Sequence, residues 1–244
     1  MSKSIIIIPS RLAASRLPQK PLIKINNKTL IMHVYEKAIQ SQIGEVYVAT
    51  CDEEIALEVG KNGGKFIMTD IKHTTGTDRV FEASQKLDLR DIDFIMNIQG
   101  DEPMINPIDI KNLNQLSKEK NLNISTLAHN IEKKEDFNNE NIVKVVTKNK
   151  ISDNSTTEAL NFHRVVKEDS INNIYQHFGV YLYKYSALKK FVTFEKSKNE
   201  INERLEQLRA IDNNMKINVI LAKYFSSGID TKKDLEDYIK SFKK

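Results

Sequence analysis

The chain has 244 residues, 40% of them hydrophobic, and carries a formal net charge of +4 at pH 7. This length allows one α/β domain with a sizeable core, and no apolar run approaches the roughly 20 residues that a membrane-spanning helix needs. The one cysteine, Cys51, excludes an intrachain disulfide framework and a structural zinc cluster, and it predicts a reducing, cytoplasmic location. The lysines are scattered and accompany no aromatic platform, so the positive charge does not indicate a nucleic-acid-binding protein.

The first half of the sequence alternates short apolar runs with helical patterns. Residues 1–4, followed by only four isoleucines, are too short for a signal peptide, and we expect the first strand at 5–8. The elements predicted next are an extended segment at 22–25, a helix at about 29–41, a strand at 45–50, a helix from 52 to about 62 that ends at two glycines, a strand at 65–68, a helix with apolar residues between 80 and 87, and a strand at 94–98. Strands separated by helices favour parallel pairing.

The second half is less regular. A valine-rich strand follows residue 141, and the polar residues 148–157 indicate a loop or a hairpin connection. The remaining predicted elements are a helix at 201–211, a strand at 217–221 and a closing helix at 231–242. With no repeat and no long linker, the sequence predicts one domain over residues 1–244, with a Rossmann-like, doubly wound and mostly parallel sheet flanked by helices.

An acidic loop at 99–103, Gln-Gly-Asp-Glu-Pro, directly follows the predicted strand at 94–98. Ligands of open α/β sheets collect just outside the carboxyl ends of the strands. Asp101 is therefore placed to hold a hard cation such as Mg²⁺, which prefers one or two carboxylates together with substrate phosphates. Gly100 would let the backbone turn and approach a ligand. A strand exit with solvated acids is the alternative interpretation.

A basic loop at 9–21 follows the first predicted strand. Arg11, Arg16 and Lys20 lie within ten residues, and two prolines stiffen the loop. Such a loop suits a triphosphate, because arginine grips phosphate oxygens bidentately while lysine supplies a mobile point charge. The spacing of a Walker A loop is absent. A solvated basic loop is the alternative interpretation.

The two loops together resemble a known family. Pro-Ser-Arg-Leu-Ala-Ala-Ser-Arg-Leu-Pro-Gln-Lys-Pro-Leu at 9–22 is similar to the N-terminal signature of the sugar-activating cytidylyltransferases. With Gln-Gly-Asp-Glu-Pro-Met at 99–104, it most resembles the CMP-Kdo synthetase (3-deoxy-manno-octulosonate cytidylyltransferase) family. Further matches follow in order at 73–79, 143–146, 177–181, 205–209 and 228–231. The resemblance covers nearly the whole chain.

The resemblance implies a Mg²⁺-dependent enzyme that transfers CMP from CTP to 3-deoxy-manno-octulosonate (Kdo), an acidic 3-deoxy-ulosonic sugar, for lipopolysaccharide or capsule synthesis. Pyrophosphate leaves, and such a transfer needs positioning and charge neutralisation rather than a covalent nucleophile. The resemblance also implies a homodimer, with residues 125–190 contributing the sugar pocket and a dimerisation segment. Two alternatives stay open, namely transfer to another acidic sugar such as a nonulosonate, and a catalytically weakened homologue that acts as a nucleotide-binding or interaction module.

The resemblance implies three catalytic residues, which are Arg11, Lys20 and Asp101. It implies Asp101 and Asp230 as the Mg²⁺ ligands, and the metal would polarise the α-phosphate. Thr231 and Asp234 resemble a capping box at the start of the closing helix. A purely structural role for Asp230 at this helix start therefore stays open.

The nucleotide is expected to contact Arg11, Ser15, Arg16, Lys20, Thr75, Gly76, Thr77, Arg79 and Gln99. Thr75 and Thr77 offer hydroxyls to a pyrimidine edge, and Gly76 permits close backbone approach. Alternatively, Thr77 caps a helix that begins at Asp78, and Gln99 closes a turn.

The sugar is expected, by resemblance, to contact Gln99, Arg164, His177, Tyr181, Glu203, Glu206 and Gln207. Glu203 and Gln207 are four residues apart and are predicted to share one helical face. The Arg164 guanidinium suits a sugar carboxylate, which it can hold bidentately. The alternatives are a structural histidine at 177 and a surface arginine at the dimer edge.

The chain departs from the family pattern at several positions. Ala14 stands where the family usually carries serine, Gln19 replaces the usual glycine before Lys20, and Cys51 stands where an aspartate commonly ends the strand. After Arg164 the usual Ile-Pro is missing. This last departure affects the sugar pocket and the dimer edge rather than the nucleotide side.

Overall fold

The structure is a computed structural model that describes residues 3–13, 17–88, 90, 92–166 and 172–242. The chain forms two compact units. The first contains Met1–Lys111 and Ser226–Lys244, and the second contains Asn112–Phe225.

The first unit is built on parallel strands. Its strands are β1 (Lys3–Ser10), β2 (Lys24–Ile25), β3 (Lys28–Thr29), β4 (Val46–Thr50), β5 (Lys65–Met68) and β6 (Ile92–Ile98). Four of them pair in the order β5-β4-β1-β6, and every pair is parallel, whereas β2 and β3 form a small antiparallel hairpin. The isoleucine run 5–8 of β1 is buried throughout, as a strand covered on both faces requires. The prediction of a parallel sheet is confirmed for this unit.

The second unit is built on a mixed sheet. Its strands are β7 (Ile124–His129), β8 (Lys144–Thr147), β9 (Thr156–His163), β10 (Ile174–Lys184) and β11 (Asn218–Leu221). They follow the order β10-β7-β11-β9-β8, and β10 also pairs with β8. Among the described residues of this unit, only β11 and β7 pair in parallel. The prediction of a mostly parallel sheet is therefore wrong for this unit. The polar connection after β8 is too short for the crossover that a parallel pair needs, so it joins an antiparallel pair.

The first three helices and the last helix lie close to their predicted positions, whereas the sequence predicted no helix at 107–119 or 185–191. The helices are α1 (Leu30–Gln40), α2 (Glu53–Lys61), α3 (Gly76–Gln85), α4 (Pro107–Glu119), α5 (Tyr185–Phe191), α6 (Lys198–Glu203), α7 (Leu208–Asp212) and α8 (Lys232–Ser241), with 3-10 turns at Lys20–Leu22 and Lys134–Phe137. Thr231 and Asp234 form the predicted capping box of α8. In the part of the chain that the structure describes, no helix combines the length and apolar character needed to cross a membrane.

The predicted helix at 201–211 is wrong, because it is divided into α6 and α7. Arg204 adopts a left-handed conformation (φ 55°, ψ 44°) and ends α6. Glu203 is the last residue of α6 and Gln207 immediately precedes α7. These two side chains therefore do not share one helical face.

Candidate active site

A cleft of about 340 Å³ lies in the first unit, beside the carboxyl ends of β1 and β6. The predicted catalytic and metal-binding residues that line it are Arg11, Lys20, Asp101 and Asp230. The predicted base-side residues that line it are Thr75, Gly76, Arg79 and Gln99. The structure thus brings the two loops singled out in the sequence to one cleft, at the sheet edge where ligands of α/β proteins collect. Ser15 and Arg16, like Ala14, lie outside the described residues.

Lys20 joins the two acidic residues of the cleft. Its Nζ lies 2.7 Å from Asp101 Oδ2, 3.0 Å from Asp230 Oδ1 and 2.8 Å from the carbonyl oxygen of Ile229. Burial disfavours the charged amine, but the carboxylates of Asp101 and Asp230 outweigh this effect and raise the pKa of Lys20 above its ordinary value. The ammonium is therefore charged at neutral pH, as an interaction with a triphosphate requires.

Backbone contacts hold the acidic loops in place. The Ile229 amide donates to the Asp101 carbonyl oxygen at 2.8 Å, which ties the segment before α8 to the loop after β6. At Gly100, an added Cβ would lie 3.0 Å from the Pro9 carbonyl oxygen, closer than most side chains tolerate. The end of β1 and the loop after β6 thus approach closely only because residue 100 has no side chain.

Asp101 and Asp230 fit a Mg²⁺ site whose coordination the phosphates of the substrate would complete. Both carboxylates reach one cation, the Lys20 ammonium, and each side chain is about one-third exposed, 32% for Asp101 and 34% for Asp230. No group of three or more His, Cys, Asp or Glu side chains suited to a metal occurs among the described residues. Two carboxylates plus phosphate oxygens form the donor set that Mg²⁺ favours, since this ion rarely uses an all-protein cage.

The basic loop is anchored by an aspartate next to Cys51. The Leu12 amide donates to Asp52 Oδ2 at 2.8 Å. Asp52 therefore supplies a carboxylate at this strand end, one position after the family's usual aspartate. Gln19 is left-handed (φ 52°, ψ 26°), a conformation that favours glycine and costs other residues about 1 kcal/mol. A glycine, which the resemblance places at this position, would adopt this conformation at little cost.

The base-side residues have structural partners of their own. Thr75 caps α3, since its Oγ1 accepts from the Asp78 amide at 3.2 Å and donates to the Asp78 carboxylate at 2.6 Å. The helix begins at Gly76, so the alternative that Thr77 is the cap is wrong. Thr77 is buried, and its Oγ1 accepts from Asn97 Nδ2 at 3.4 Å. Its role and that of Thr75 in nucleotide binding stay predictions.

Arg79 lines the cleft, although its side chain is almost fully buried. Its guanidinium donates to the Thr69 hydroxyl and, at 3.4 Å, to the Asp70 carbonyl oxygen. Gln99 lies opposite Gly76, where an added Cβ would come within 3.2 Å of its Nε2. The start of α3 therefore packs tightly on the end of β6, and a nucleotide role for Arg79 or Gln99 stays a prediction.

The second unit holds the predicted sugar-side histidine and tyrosine in an irregular part of β10. The register of β10 against β7 shifts between His177 and Tyr181. Such irregularities re-aim side chains and are frequent near active sites. His177 Nε2 lies 2.9 Å from Thr126 Oγ1, and this hydroxyl donates to the Val180 carbonyl oxygen at 2.7 Å. The hydroxyl therefore accepts from His177, which assigns the imidazole proton to Nε2.

Tyr181 lies beside another predicted sugar residue. Burial, followed by the neighbouring Tyr183 and Glu206, holds the pKa of Tyr181 well above its ordinary value. Its buried hydroxyl has no hydrogen-bond partner within the described ranges. A buried donor without a partner is costly, so a bound ligand or water is needed to satisfy it.

The Arg164 guanidinium group binds backbone carbonyl oxygens rather than a carboxylate. Its Nε donates to the Glu203 carbonyl oxygen at 2.8 Å, and its terminal nitrogens donate to the carbonyl oxygens of Glu140 and Arg204 at 2.9 and 3.1 Å. These contacts stabilise the C-terminus of α6 and the left-handed turn after it. Arg164 has five N–H donors, so two stay available to a ligand.

Two further charged residues of this unit were not identified from the sequence as structural. Lys144 is fully buried, and its Nζ donates to the carbonyl oxygens of Asn139, Ile142 and Arg164. Burial lowers the pKa of Lys144 to about 8. Arg209 pairs with Glu200 inside the protein, at 2.8 and 2.6 Å, and braces α6 against α7. The sequence gives no signal for these structural roles. A lysine within a valine-rich strand does not indicate a buried charge, and an acid and a base nine residues apart do not indicate a buried pair.

We expect the free energy of unfolding to fall on acidification because of His177. Burial lowers its pKa to about 3, whereas the unfolded chain takes up the proton near pH 6.5. The stabilisation is complete above pH 6.5 and is lost as the pH falls toward 3, at about 1.4 kcal/mol per pH unit. Urea unfolding at pH 7 and pH 5 measures it. The His177→Gln variant should lose this part of the pH dependence, and the His163→Gln control should keep it. An unchanged slope in His177→Gln would contradict the prediction.

The comparisons with known proteins agree with the geometry of the cleft. The sequence model described as cytidylyltransferase matches residues 5–217, and the chain therefore belongs to the cytidylyltransferase family. It is 46% identical over 243 residues to the 3-deoxy-manno-octulosonate cytidylyltransferase of Thermodesulfovibrio yellowstonii, covering 96% of this chain and 95% of that protein. The protein of the same name from Afipia carboxidovorans is 41% identical over 234 residues, covering 96% and 94%. The likeness thus extends over nearly the whole of each chain.

A solved structure is similar over its full length as well. The structure of CMP:2-keto-3-deoxy-manno-octonic acid synthetase complexed with CTP superposes with a TM-score of 0.88 at 35% identity, covering 99% of both chains. The predicted resemblance to the CMP-Kdo synthetase family is confirmed.

Proposed function

We propose that this protein transfers CMP from CTP to Kdo and releases pyrophosphate. The observation that carries the proposal is the meeting of Lys20, Asp101 and Asp230 in a cleft of the first unit, in a chain that belongs to the cytidylyltransferase family. A cation and two acids at the ends of strands suit a triphosphate with its metal ion. The names of the relatives supply the sugar.

The reaction forms a bond between the anomeric oxygen of the sugar and the α-phosphorus of CTP. The bond from the α-phosphorus to the bridging oxygen breaks, pyrophosphate leaves with its electron pair, and the hydroxyl proton passes to the solvent. Arg11 and Lys20 would bind the triphosphate and neutralise its charge. Asp101 and Asp230 would hold Mg²⁺, which supplies charge neutralisation at the phosphates when bound. No covalent intermediate on the protein is needed.

We propose that the sugar contacts residues of the second unit. The buried hydroxyl of Tyr181, beside Glu206, suits a sugar hydroxyl, and neutral His177 orients this part of β10. Two more residues are proposed to contact the sugar. Gln207 is buried directly before α7, and Glu203 is the last residue of α6. We also propose, on the resemblance alone, that the protein is a homodimer that uses residues 125–190, which light scattering of the purified protein would test.

The release of pyrophosphate from CTP, measured with a panel of acidic sugars, tests the proposed function. Kdo should give the highest kcat/KM, and UTP should replace CTP poorly. A higher kcat/KM with a nonulosonate would assign the enzyme to another acceptor. CTP binding without turnover of any sugar would indicate a nucleotide-binding module and contradict the proposal.

We expect Arg164→Lys to raise the KM for the sugar about tenfold and to leave the KM for CTP unchanged. Lysine lacks the planar guanidinium group of arginine. That group binds the turn after α6 and can still reach a carboxylate with its remaining N–H groups. Steady-state kinetics with sugar and CTP varied separately measure the effect. Arg204→Lys is the control, because that residue contributes its carbonyl oxygen rather than its side chain to the contact. An unchanged KM for the sugar in Arg164→Lys would remove Arg164 from the sugar site.

A further inference from the structure

One wall of the cleft is held in place by a carboxylate that does not line it. Residues 73–75 line the cleft and directly precede α3. From α3, Glu82 reaches back to residues 70–75. Its Oε2 accepts from the Asp70 amide at 2.8 Å and contacts His73 Nε2. Its other oxygen pairs with Lys86 at 2.7 Å. One side chain thus fixes both the backbone and the histidine of this wall.

Arg79, which lies one turn earlier on α3, binds the chain at the start of residues 70–75. It bonds to Thr69 and to the Asp70 carbonyl oxygen, while Glu82 bonds to the Asp70 amide. Both backbone polar groups of Asp70 are therefore held by charged side chains of one helix. Hydrogen bonds that involve a charged group are stronger than those between neutral groups. The contacts of Arg79 and Glu82 therefore hold the backbone at Asp70 more rigidly than neutral hydrogen bonds would.

The contact with His73 fixes the orientation of its ring. Because Nε2 faces Glu82, Nδ1 is the ring nitrogen left for a ligand in the cleft. Burial disfavours the charged form of Glu82, but hydrogen bonds from Lys86, the Asp70 amide and His73 outweigh this effect and lower its pKa to about 2. The carboxylate therefore keeps its charge at every pH at which the protein is expected to work.

We propose that Glu82 is a positioning residue for the nucleotide, which holds residues 70–75 and His73 where the base of the nucleotide must meet them. This proposal rests on the proposed function, since it takes the cleft to be the CTP site. Displacing a cleft wall by a fraction of an ångström weakens every contact that depends on it, so the loss falls on nucleotide affinity. An ordinary surface ion pair would contribute little, and only to stability.

The test compares Glu82→Gln and Glu82→Ala with wild type and with the control Glu36→Gln. Glu36 carries an equivalent charge on α1, where it pairs with Lys28 at a half-exposed position away from the cleft lining. The measurements are KM for CTP, KM for Kdo and kcat, together with the affinity for CTP by titration calorimetry. Glu82→Gln keeps the size of the side chain and can still accept from Asp70, so it reports on positioning even where Glu82→Ala does not fold.

We expect Glu82→Ala to raise the KM and the dissociation constant for CTP about tenfold and Glu82→Gln to raise them about threefold, whereas kcat and the KM for Kdo change less than about twofold. Glu36→Gln should match wild type. Unchanged CTP affinity in both Glu82 variants would overturn the proposal, and so would equal losses for CTP and Kdo, which indicate general destabilisation. If wild type binds CTP but releases no pyrophosphate, the proposed function fails, and calorimetry still tests Glu82.

Discussion

Asp101→Asn is expected to lower kcat by two to three orders of magnitude and to leave the fold intact. The substitution keeps the size of the side chain but removes the charge that both Lys20 and a metal ion need, and loss of one such electrostatic contact costs about 100- to 1000-fold. Pyrophosphate release from CTP with Kdo measures it, and circular dichroism verifies the fold. Asp93→Asn is the matched control, because it makes the same exchange at an exposed position of the same strand, β6.

The parallel variant Asp230→Asn separates a metal ligand from a helix cap. The cap of α8 is made by Thr231 and Asp234, while the Asp230 carboxylate faces Lys20. Asp230→Asn should therefore resemble Asp101→Asn in turnover and keep most of the thermal stability. Turnover near that of wild type in either variant would contradict the metal assignment of the residue that was changed.

The parallel core of the first unit was predictable because its signals are local. The isoleucine run 5–8 has no polar position, which only a strand covered on both faces tolerates. The end of α2 follows from its glycines, and Gly63 adopts the left-handed conformation (φ 75°) that such helix ends use. These elements depend on residues adjacent in sequence, so their patterns predicted them to within two residues or so.

The division between α6 and α7 was not predictable from local signals. The break occurs at Arg204, a residue that rarely takes a left-handed conformation, and no glycine or proline marks it. The turn is stabilised instead by Arg164 and by the pairing of Glu200 with Arg209. Because these partners are distant in sequence or lie within an apparently helical run, the pattern favoured one continuous helix.

The candidate site was predictable in part, and for different reasons. The rule that strand ends collect ligands placed Asp101 and the basic loop with Lys20, and the resemblance added Asp230. Glu82 was missed because an acid on a helix is usually a solvated surface group, and only the fold shows that it reaches the loop before its own helix.

Lys20→Ala is expected to lower kcat/KM for CTP by two to three orders of magnitude whichever sugar is offered. The triphosphate charge is common to every acceptor, and alanine removes the ammonium that would bind it. Kinetics with CTP and sugar varied separately measure the effect, and Lys28→Ala, which breaks a half-exposed ion pair, is the control. If Lys20→Ala changed only the preference among sugars, the basic loop would belong to sugar recognition instead.

The same variant should also change how the protein responds to metal. Lys20 neutralises two carboxylates that otherwise repel each other, and its side chain is only 13% exposed, so its removal leaves like charges close together. Without metal, Lys20→Ala should therefore unfold at a lower temperature than wild type. Mg²⁺ should raise the unfolding temperature of the variant more than that of wild type, because the ion no longer competes with the ammonium for Asp101 and Asp230. Thermal unfolding with and without Mg²⁺, in the absence of CTP, measures this difference. If Mg²⁺ left the unfolding temperature of Lys20→Ala unchanged, the two carboxylates would not bind the metal on their own, and the phosphates of CTP would have to bring it.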